Sequence, residues 1–196
     1  MRALVFLNGE KAHSRLTIET PLIPQSPSSY YFIDHPYESS FPIEDSVWIG
    51  DGDSSSPDVS FSKKILLDQE KNFSDFGACL DLLSKDPLYV LIQGGFGKRK
   101  DHELINLEEA RFFLKKRTSP TVLFFEPYLI LSNTELILHL EKNQLFSMVS
   151  ESTIECSGAL YDGKLNLTRP SHGLSNQSLG SPISFKPFGI FEIIVS

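Results

Sequence analysis

Cysteine and positive charge are both scarce in this sequence of 196 residues. Its two cysteines, Cys79 and Cys156, lie far apart and lack the spacing of metal ligands. We therefore expect buried thiols in a reducing compartment, and we place the protein in the cytoplasm. The formal net charge is −7, which supplies no general attraction to a phosphate backbone or to anionic lipid. We expect no nucleic-acid partner.

Long apolar runs are also missing. No stretch approaches the ~20 consecutive apolar residues of a membrane span, so we expect no membrane association. The opening run Met1–Leu7 is too short for a signal peptide, and it predicts a first strand instead. Hydrophobic residues make up 40% of the chain and charged residues 22%, which is typical of a globular protein.

The first two thirds of the chain alternate apolar runs with amphipathic segments, a pattern typical of a mostly parallel sheet with crossover helices. The predicted strands are Ala3–Leu7, Tyr30–Ile33, Val47–Ile49, Lys64–Leu67 and Tyr89–Ile92. A helix is predicted over Ser74–Ser84, with Ser74 as its N-cap, and a second over Asp101–Lys115. In the second helix, Leu104, Leu107, Ala110 and Leu114 are expected to face inward. Gly9–Ser29 shows little periodicity and predicts a long loop.

Helical periodicity disappears after Pro120. The later predicted strands are Thr121–Phe125, Tyr128–Leu131, Leu136–Leu140, Thr153–Cys156 and Phe188–Val195. The expected architecture is therefore an α/β domain over residues 1–118 with a mostly parallel sheet. It is followed by an all-β sandwich domain over residues 119–196.

Acidic residues follow two of the predicted parallel strands. Asp51 and Asp53 lie in Gly50-Asp51-Gly52-Asp53-Ser54, at the end of a parallel strand, where open α/β sheets bind ligands. An ordinary Asp-Gly turn would explain the fragment equally well. Asp75 lies in the first turn of the first helix, where an acid also simply complements the helix dipole. Asp68 and Gln69 are weaker candidates.

Glycines and cations mark a third turn, Gly94-Gly95-Phe96-Gly97-Lys98-Arg99-Lys100-Asp101-His102. Glycines let backbone N–H groups approach a phosphate, and lysine or arginine neutralises its charge. The turn lacks the Gly-Lys-Ser/Thr ending of a Walker A loop. A glycine turn before an aspartate N-cap would explain the segment alone, and His102 alone would more often be a packed or surface residue.

The conjunction of the three turns is more informative than any one of them. Parallel topology places all three at the same sheet edge. Carboxylates that bind Mg²⁺ beside cations that bind phosphate are the components of phosphoryl-type transfer. The sequence therefore predicts a site for a magnesium-bound nucleotide.

Read together, these motifs resemble those of the thiamine pyrophosphokinase family. The family patterns are Gly-Asp-x-Asp-Ser, Lys-Asp-x-Thr-Asp and Gly-x-x-Gly-x-Arg-x-Asp-His followed by an asparagine. They match here, in order, at residues 50–54, 71–75 and 94–102, with Asn106 after them. Two further similarities lie near the C-terminus, Gly158-Ala159-Leu160-Tyr161 and Gly173-Leu174-Ser175-Asn176-Gln177.

The resemblance implies a homodimer whose sites are completed across the interface. It also implies transfer of the β,γ-diphosphate of ATP to the hydroxyl of thiamine. By this resemblance Asp51, Asp53 and Asp75 would hold Mg²⁺, and Arg99 and Asp101 would orient the phosphates and the attacking hydroxyl. Asp34, Gly94, Gly95, Gly97, Lys98 and His102 are assigned to the nucleotide, and Lys71, Ser175 and Asn176 to the substrate.

Several positions depart from the family patterns. Ile33-Asp34-His35-Pro36 stands where the family has Ala-Asp-Gly-Gly, and Asn72 and Gln177 replace acids. Two alternatives therefore stay open. One is a diphosphokinase for another alcohol, such as a hydroxymethylpterin, and the other is a catalytically silent module that binds nucleotide or thiamine.

Overall fold

The computed structural model describes residues 2–10, 16–20, 22, 29–35, 42, 44–52, 61–83 and 88–196. The first half of the chain contains β1 (Arg2–Phe6), β2 (Thr17–Glu19), β3 (Ser29–Ile33), β4 (Ser46–Gly50), β5 (Lys63–Leu66), α1 (Asp75–Leu82), β6 (Leu88–Gln93) and α2 (Lys100–Lys115). The second half contains β7 (Thr121–Phe125), β8 (Leu129–Ser132), β9 (Leu136–His139), β10 (Leu145–Ser150), β11 (Thr153–Ser157), β12 (Gly163–Asn166), β13 (Asn176–Gln177), β14 (Ile183–Pro187) and β15 (Phe191–Val195). A short 3₁₀ helix spans Pro170–Gly173.

Among the described residues, the larger sheet has ten strands in the order β13-β10-β15-β8-β7-β6-β1-β3-β4-β5. The six strands from β7 to β5 are parallel to one another. The sequence predicts this for β1, β3, β4, β5 and β6, but it placed β7 in the antiparallel sandwich, and that placement was wrong because β7 pairs in parallel with β6. The remaining pairs are antiparallel. Because β7 pairs with β6, this sheet runs without interruption past Pro120, and the division into domains after residue 118 stays a proposal.

A second, antiparallel sheet has the order β12-β11-β14-β9-β2. It packs over the antiparallel part of the large sheet through a buried cluster that includes Phe146, Phe185 and Phe191. Strand β2 lies inside the predicted Gly9–Ser29 loop, so that prediction was wrong over Thr17–Glu19. Its three residues are too few to show an alternating pattern.

Both faces of the central parallel strands β1, β3, β4 and β6 are buried, which explains their continuous apolar runs, whereas the edge strand β5 is mostly exposed. On one face, Ala3 and Val5 pack in a cluster with Phe76 and Leu80 of α1. On the other face, Phe6 packs with Phe32 and Trp48. The alternate residues of each strand therefore anchor two layers, and the strand ends are held at a common edge.

The two helices differ from prediction in their details. Ser74 caps α1, because its Oγ accepts the Gly77 N–H over 2.9 Å, as predicted. Helix α2 begins one residue early, at Lys100, with Arg99 at the N-cap and Asp101 inside the first turn. The side chain of Leu104 was expected to face inward, but Leu104 is 64% exposed.

None of the described helices is long and apolar enough to cross a membrane. The two cysteines are buried and carry free thiols. Burial alone raises the pKa of the Cys79 thiol well above its ordinary range, which keeps it protonated. This agrees with the expectation of inert, buried thiols.

Candidate active site

The carboxyl ends of β1, β3 and β6 open onto a cavity of about 580 Å³. This volume lies within the range of sites for small molecules and cofactors. Its lining residues come from the strand-to-helix turns and from the first turns of α1 and α2. They are Leu7, Asn8, Gly9, Ile33, Asp34, Lys71, Phe73, Ser74, Asp75, Phe76, Gly94, Gly95, Phe96, Lys98, Arg99, Asp101, His102, Glu103, Ile105 and Asn106.

Three carboxylates meet at the edge of this cavity. Asp34 follows β3, Asp51 follows β4 and Asp75 begins α1, and one oxygen of each lies within 4.8 Å of the others. The parallel order β3-β4-β5 brings the three turns together, as the sequence predicts for Asp51 and Asp75. Asp53, the other predicted ligand, lies outside the described residues.

The backbone around Asp34 is specialised for this arrangement. Asp34 has φ of +44°, a left-handed conformation that aspartate and asparagine tolerate better than most residues. Its N–H donates to the carbonyl of Ile49 over 2.9 Å, which fixes the turn against β4. A Cβ at Gly50 would lie 1.8 Å from Asp34 Oδ1. Gly50 is therefore the residue that leaves room for the carboxylate.

Helix α2 positions the third carboxylate through the cap of α1. The Ser74 hydroxyl donates to Glu109 Oε1 over 3.0 Å while it caps Gly77. A Cβ at Gly77 would lie 2.8 Å from the Glu109 carboxylate, so the glycine permits this approach. These contacts hold the helix start, and with it Asp75, against α2.

Lys71 lies among the carboxylates. Its Nζ is 2.7 Å from Asp51 Oδ2 and 3.0 Å from Asp75 Oδ1, and its side chain is 9% exposed. Burial lowers the pKa of Lys71, but its hydrogen bonds to these two aspartates outweigh burial and raise it. The ammonium is therefore charged and partly neutralises the cluster.

One lysine does not balance three carboxylates. Burial, and then the neighbouring carboxyl groups of Asp75 and Asp51, raise the pKa of Asp34 to about 7, although the Gly52 N–H opposes the shift. A carboxyl group whose pKa is raised binds its proton more tightly in the folded protein than in the unfolded chain. The stability that this protonation contributes to the fold is therefore lost as the pH rises from about 4 to about 7.

We expect the Asp34→Asn variant to be more stable than the wild type at pH 8 when divalent cations are chelated. Asparagine keeps the shape and tolerates the left-handed backbone, but it removes the charge that burial disfavours. Near pH 5 the wild-type carboxyl is protonated, so the gain in Tm should shrink. Thermal unfolding at both pH values measures this, and exposed Asp81 supplies the control variant Asp81→Asn. An equal gain at both pH values would contradict the assignment.

The glycine-rich turn after β6 also lines the cavity. Gly94 has φ of +71°, and a Cβ there would lie 2.2 Å from the carbonyl oxygen of Leu7. The Gly97 N–H donates to Glu103 Oε1 over 2.7 Å, which ties the turn to α2. Lys98 Nζ donates to Asn8 Oδ1 over 3.3 Å. The turn is thus packed closely on the residues that follow β1.

Arg99 and Asp101 form an ion pair at the start of α2. Both side chains are exposed, at 66% and 62%. The arginine lowers the pKa of Asp101 to about 2. His102 also lines the cavity, and the Asn106 amide lies 3.5 Å from the Gly95 carbonyl. Lys98 and Arg99 therefore line the same cavity as Asp34 and Asp75 of the carboxylate cluster.

The predicted substrate residues Ser175 and Asn176 lie elsewhere. Every lining residue of the cavity comes from residues 7–106 of the described chain. Asn176 is 2% exposed, and its amide exchanges hydrogen bonds with the N–H and carbonyl of Tyr161 over 3.0 Å and 2.8 Å. Ser175 is exposed, with φ of +56°. Asn176 thus shapes a turn that presents Ser175.

Sequence reasoning missed several residues of the site. Asn8 and Gly9 line the cavity after β1, and a Cβ at Gly9 would lie 2.1 Å from the Gly94 carbonyl oxygen. An Asn-Gly pair after a first strand was a usable signal. Glu109 acts through a contact with Ser74, 35 residues earlier, which no local pattern reveals. Phe73 and Ile105 line the cavity while 51% and 52% exposed.

The carboxylate cluster has the chemistry of a site for a hard divalent cation. Mg²⁺ prefers oxygen ligands, and carboxylates from three turns supply one oxygen each within 4.8 Å. Burial, and then the neighbouring carboxyl groups of Asp75 and Asp51, raise the pKa of Asp34, as expected where carboxyl groups are crowded together away from water. Asp34, Asp51 and Asp75 therefore fit a magnesium ion.

No protein-family model and no curated protein sequence matches this chain. Solved structures do. Thiamine pyrophosphokinase from Bacillus subtilis superposes with a TM-score of 0.66 at 18% identity, covering 100% of this chain and 99% of that one. The enzyme from Candida albicans gives a TM-score of 0.66 at 12% identity, covering 98% and 89%. The one from Geobacillus thermodenitrificans gives 0.60 at 16%, covering 100% and 97%.

The chain has the thiamine pyrophosphokinase fold. Within this fold, the histidine at position 35, where the family pattern has glycine, is accommodated by packing against aromatic residues. His35 is buried, and its ring centroid lies 6.0 Å from that of Phe6 and 6.4 Å from that of Phe32. It is not among the described residues that line the cavity. The histidine therefore replaces a glycine of the family pattern without filling the site.

Proposed function

We propose that this protein is a thiamine diphosphokinase that transfers diphosphate from ATP to thiamine, giving thiamine diphosphate and AMP. The observation that carries the proposal is the cavity itself. Asp34, Asp51 and Asp75 cluster at one edge of a parallel sheet, and two of them, Asp34 and Asp75, line the same cavity as Gly94, Gly95, Lys98 and Arg99. The thiamine pyrophosphokinase fold and the order of the motifs support the same assignment.

In the proposed arrangement, the aspartates bind the metal ion and the basic side chains bind the phosphates. Asp34, Asp51 and Asp75, with Asp53, would hold Mg²⁺, which when bound neutralises charge on the phosphates. The backbone N–H groups of Gly94 and Gly95 would approach the phosphate oxygens, while Lys98 and Arg99 neutralise them. Gly97, also assigned to the nucleotide by the sequence, does not line the cavity, and its N–H donates to Glu103. His102 lies beside them on the cavity wall and would contact the nucleotide.

The transfer itself needs little covalent participation from the protein. The hydroxyl oxygen of thiamine bonds to the β-phosphorus, and the bond from that phosphorus to the oxygen bridging the α-phosphorus breaks. AMP leaves with the bridging oxygen, and the hydroxyl proton passes to water. Because such transition states are loose, positioning and charge stabilisation supply most of the rate. Asp101 would orient the hydroxyl, and its pairing with Arg99 keeps it ionised.

We further propose that two copies of the chain form a homodimer in which Ser175 of one copy, held by Asn176, completes the site of the other. The support is that Ser175 and Asn176 are absent from the residues that line the cavity. Exposed apolar side chains surround the turn, namely Leu145, Leu160, Tyr161, Leu174 and Leu179. The molecular mass in solution should be about twice the 22.0 kDa of the chain, and a monomeric, fully active enzyme would contradict this.

The direct test of the proposed function is AMP release from Mg-ATP by the purified protein, with and without thiamine. We expect release that depends on thiamine. AMP formed only with a hydroxymethylpterin would support a diphosphokinase for another alcohol. That alternative is favoured by the turn of Ser175 and Asn176, which does not line this cavity. Binding of nucleotide without AMP under any acceptor would support a silent module, a possibility favoured by the Arg99–Asp101 pair, in which each charge is already matched.

A further inference from the structure

We propose that Lys71 is an exchangeable internal counter-ion, displaced from the carboxylates when a divalent cation binds and then transferred to the phosphates of the nucleotide. The inference deepens the proposed function, on which it rests for the identity of the second ligand. It concerns the role that Lys71 plays before a cation arrives, and it adds an exchange step to the substrate contact that the sequence motif implies.

Geometry provides the first argument. Lys71 Nζ lies 2.7 Å from Asp51 and 3.0 Å from Asp75, two of the three groups that could hold a cation. A magnesium ion binds carboxylate oxygens at about 2.0–2.1 Å. An ammonium left at its present position would therefore lie within a few ångströms of the ion. Two positive charges so close repel strongly in a poorly hydrated site, so metal and ammonium exclude one another.

Charge balance provides the second argument. The cluster has three carboxyl groups, and Lys71 at 9% side-chain exposure supplies one compensating charge from inside the protein. Without it, ionised carboxylates would crowd together away from water, which is strongly unfavourable. Lys71 thus lets the site fold before any cation arrives. The charge that a divalent ion brings then makes this compensation superfluous.

The destination of the displaced ammonium is the third argument. Lys71 also lines the cavity, together with Gly94, Gly95 and Lys98 of the turn proposed to hold phosphate. Its long, flexible stem allows the charge to move between the two groups of oxygens. After exchange, Lys71 would add a positive charge to those of Lys98 and Arg99, which line the same cavity.

The test uses the full chain and two separate ligands. Mn²⁺ alone is titrated into nucleotide-free protein, with free Mn²⁺ followed by electron paramagnetic resonance. Inorganic tripolyphosphate is then titrated into Mn²⁺-saturated protein by calorimetry. We expect Lys71→Met to bind Mn²⁺ more tightly than the wild type, by on the order of tenfold, because the competing charge is gone. It should bind tripolyphosphate more weakly, by a similar factor.

If Lys71 had a purely structural role, Lys71→Met would weaken the binding of both Mn²⁺ and tripolyphosphate. Lys71→Arg, which keeps the charge, should stay near the wild type for Mn²⁺, and exposed Lys64 supplies the control Lys64→Met. If Lys71→Met does not fold, Lys71→Gln keeps hydrogen bonding without charge and carries the same expectations. Unchanged, weaker or undetectable Mn²⁺ binding would overturn the exchange, and unchanged tripolyphosphate binding would overturn the transfer to phosphate. Neither titration uses thiamine or turnover, so inactivity toward thiamine leaves the result intact.

Discussion

Replacing Asp75 by asparagine is expected to slow thiamine-dependent AMP formation by on the order of 10²-fold or more. Asp75 contributes one of three clustered carboxylates and is fixed at the start of α1 by the Ser74 cap. Asparagine preserves the shape but removes a full negative charge that would hold Mg²⁺. The measurement is the initial rate of AMP release at saturating Mg-ATP and thiamine.

Asp81 provides the matched control, because it lies in the same helix but is exposed. The Asp81→Asn variant should keep the wild-type rate and a similar Tm. A Asp75→Asn variant that is folded and as fast as the wild type would show that this cluster does not serve the reaction.

Gly50→Ala is the second substitution for which we expect a large effect. The new Cβ would lie 1.8 Å from Asp34 Oδ1, a distance that requires one group to move. The backbone of Asp34 cannot easily retreat, since its N–H is bonded to Ile49 across β3 and β4. Overpacking of this kind costs about 1–3 kcal/mol in the free energy of unfolding. Displacement of the carboxylate should also lower AMP formation by on the order of 10²-fold.

A double variant separates the two consequences. In Gly50→Ala/Asp34→Gly the clash is removed, and glycine accepts the left-handed backbone at position 34. Chemical denaturation should therefore show recovered stability, whereas AMP formation stays low because a carboxylate is missing. If Gly50→Ala alone matched the wild type in both stability and rate, Gly50 would have no part in positioning Asp34.

The large features of the parallel sheet could be predicted from the sequence because local physics determines them. Strands buried on both faces must read as continuous apolar runs, and β1, β3, β4 and β6 do. The Ser74 cap was readable because a hydroxyl before a helical pattern satisfies the first N–H groups. Strand polarity then placed Asp51 and Asp75 at one edge without any knowledge of side-chain contacts.

Features that depend on long-range pairing were not readable. Strand β12 (Gly163–Asn166) is mostly exposed and β13 (Asn176–Gln177) has two residues, so neither carries a periodic apolar pattern. Strand β10 does alternate, but serines at 147 and 150 weaken the signal. The position of β7 beside β6 depends on tertiary packing. The proline before β7 reads in the sequence as a domain boundary and so gives no sign of this pairing.

The site shows the same limit. The motifs predicted which turns lie at the same sheet edge, but they did not predict that Lys71 forms ion pairs with Asp51 and Asp75. They also did not reveal that Asp34 depends on the absence of a side chain at Gly50. Lys71 lies 20 positions from Asp51, and Asp34 lies 16 from Gly50, so these contacts exist only once the turns of β3, β4 and α1 share an edge. The same is true of Glu109, which reaches Ser74 from the other helix.

The most direct test of the proposed activity is phosphorus NMR of the purified protein incubated with Mg-ATP and thiamine, with time points through at least one full turnover of the added thiamine. The account predicts thiamine diphosphate and AMP in equal amounts, with no signal growth when thiamine is omitted. Formation of ADP with a thiamine monophosphate would contradict attack at the β-phosphorus. Unchanged ATP and thiamine, from protein that is folded and binds Mg-ATP, would contradict the assignment as a diphosphokinase for thiamine.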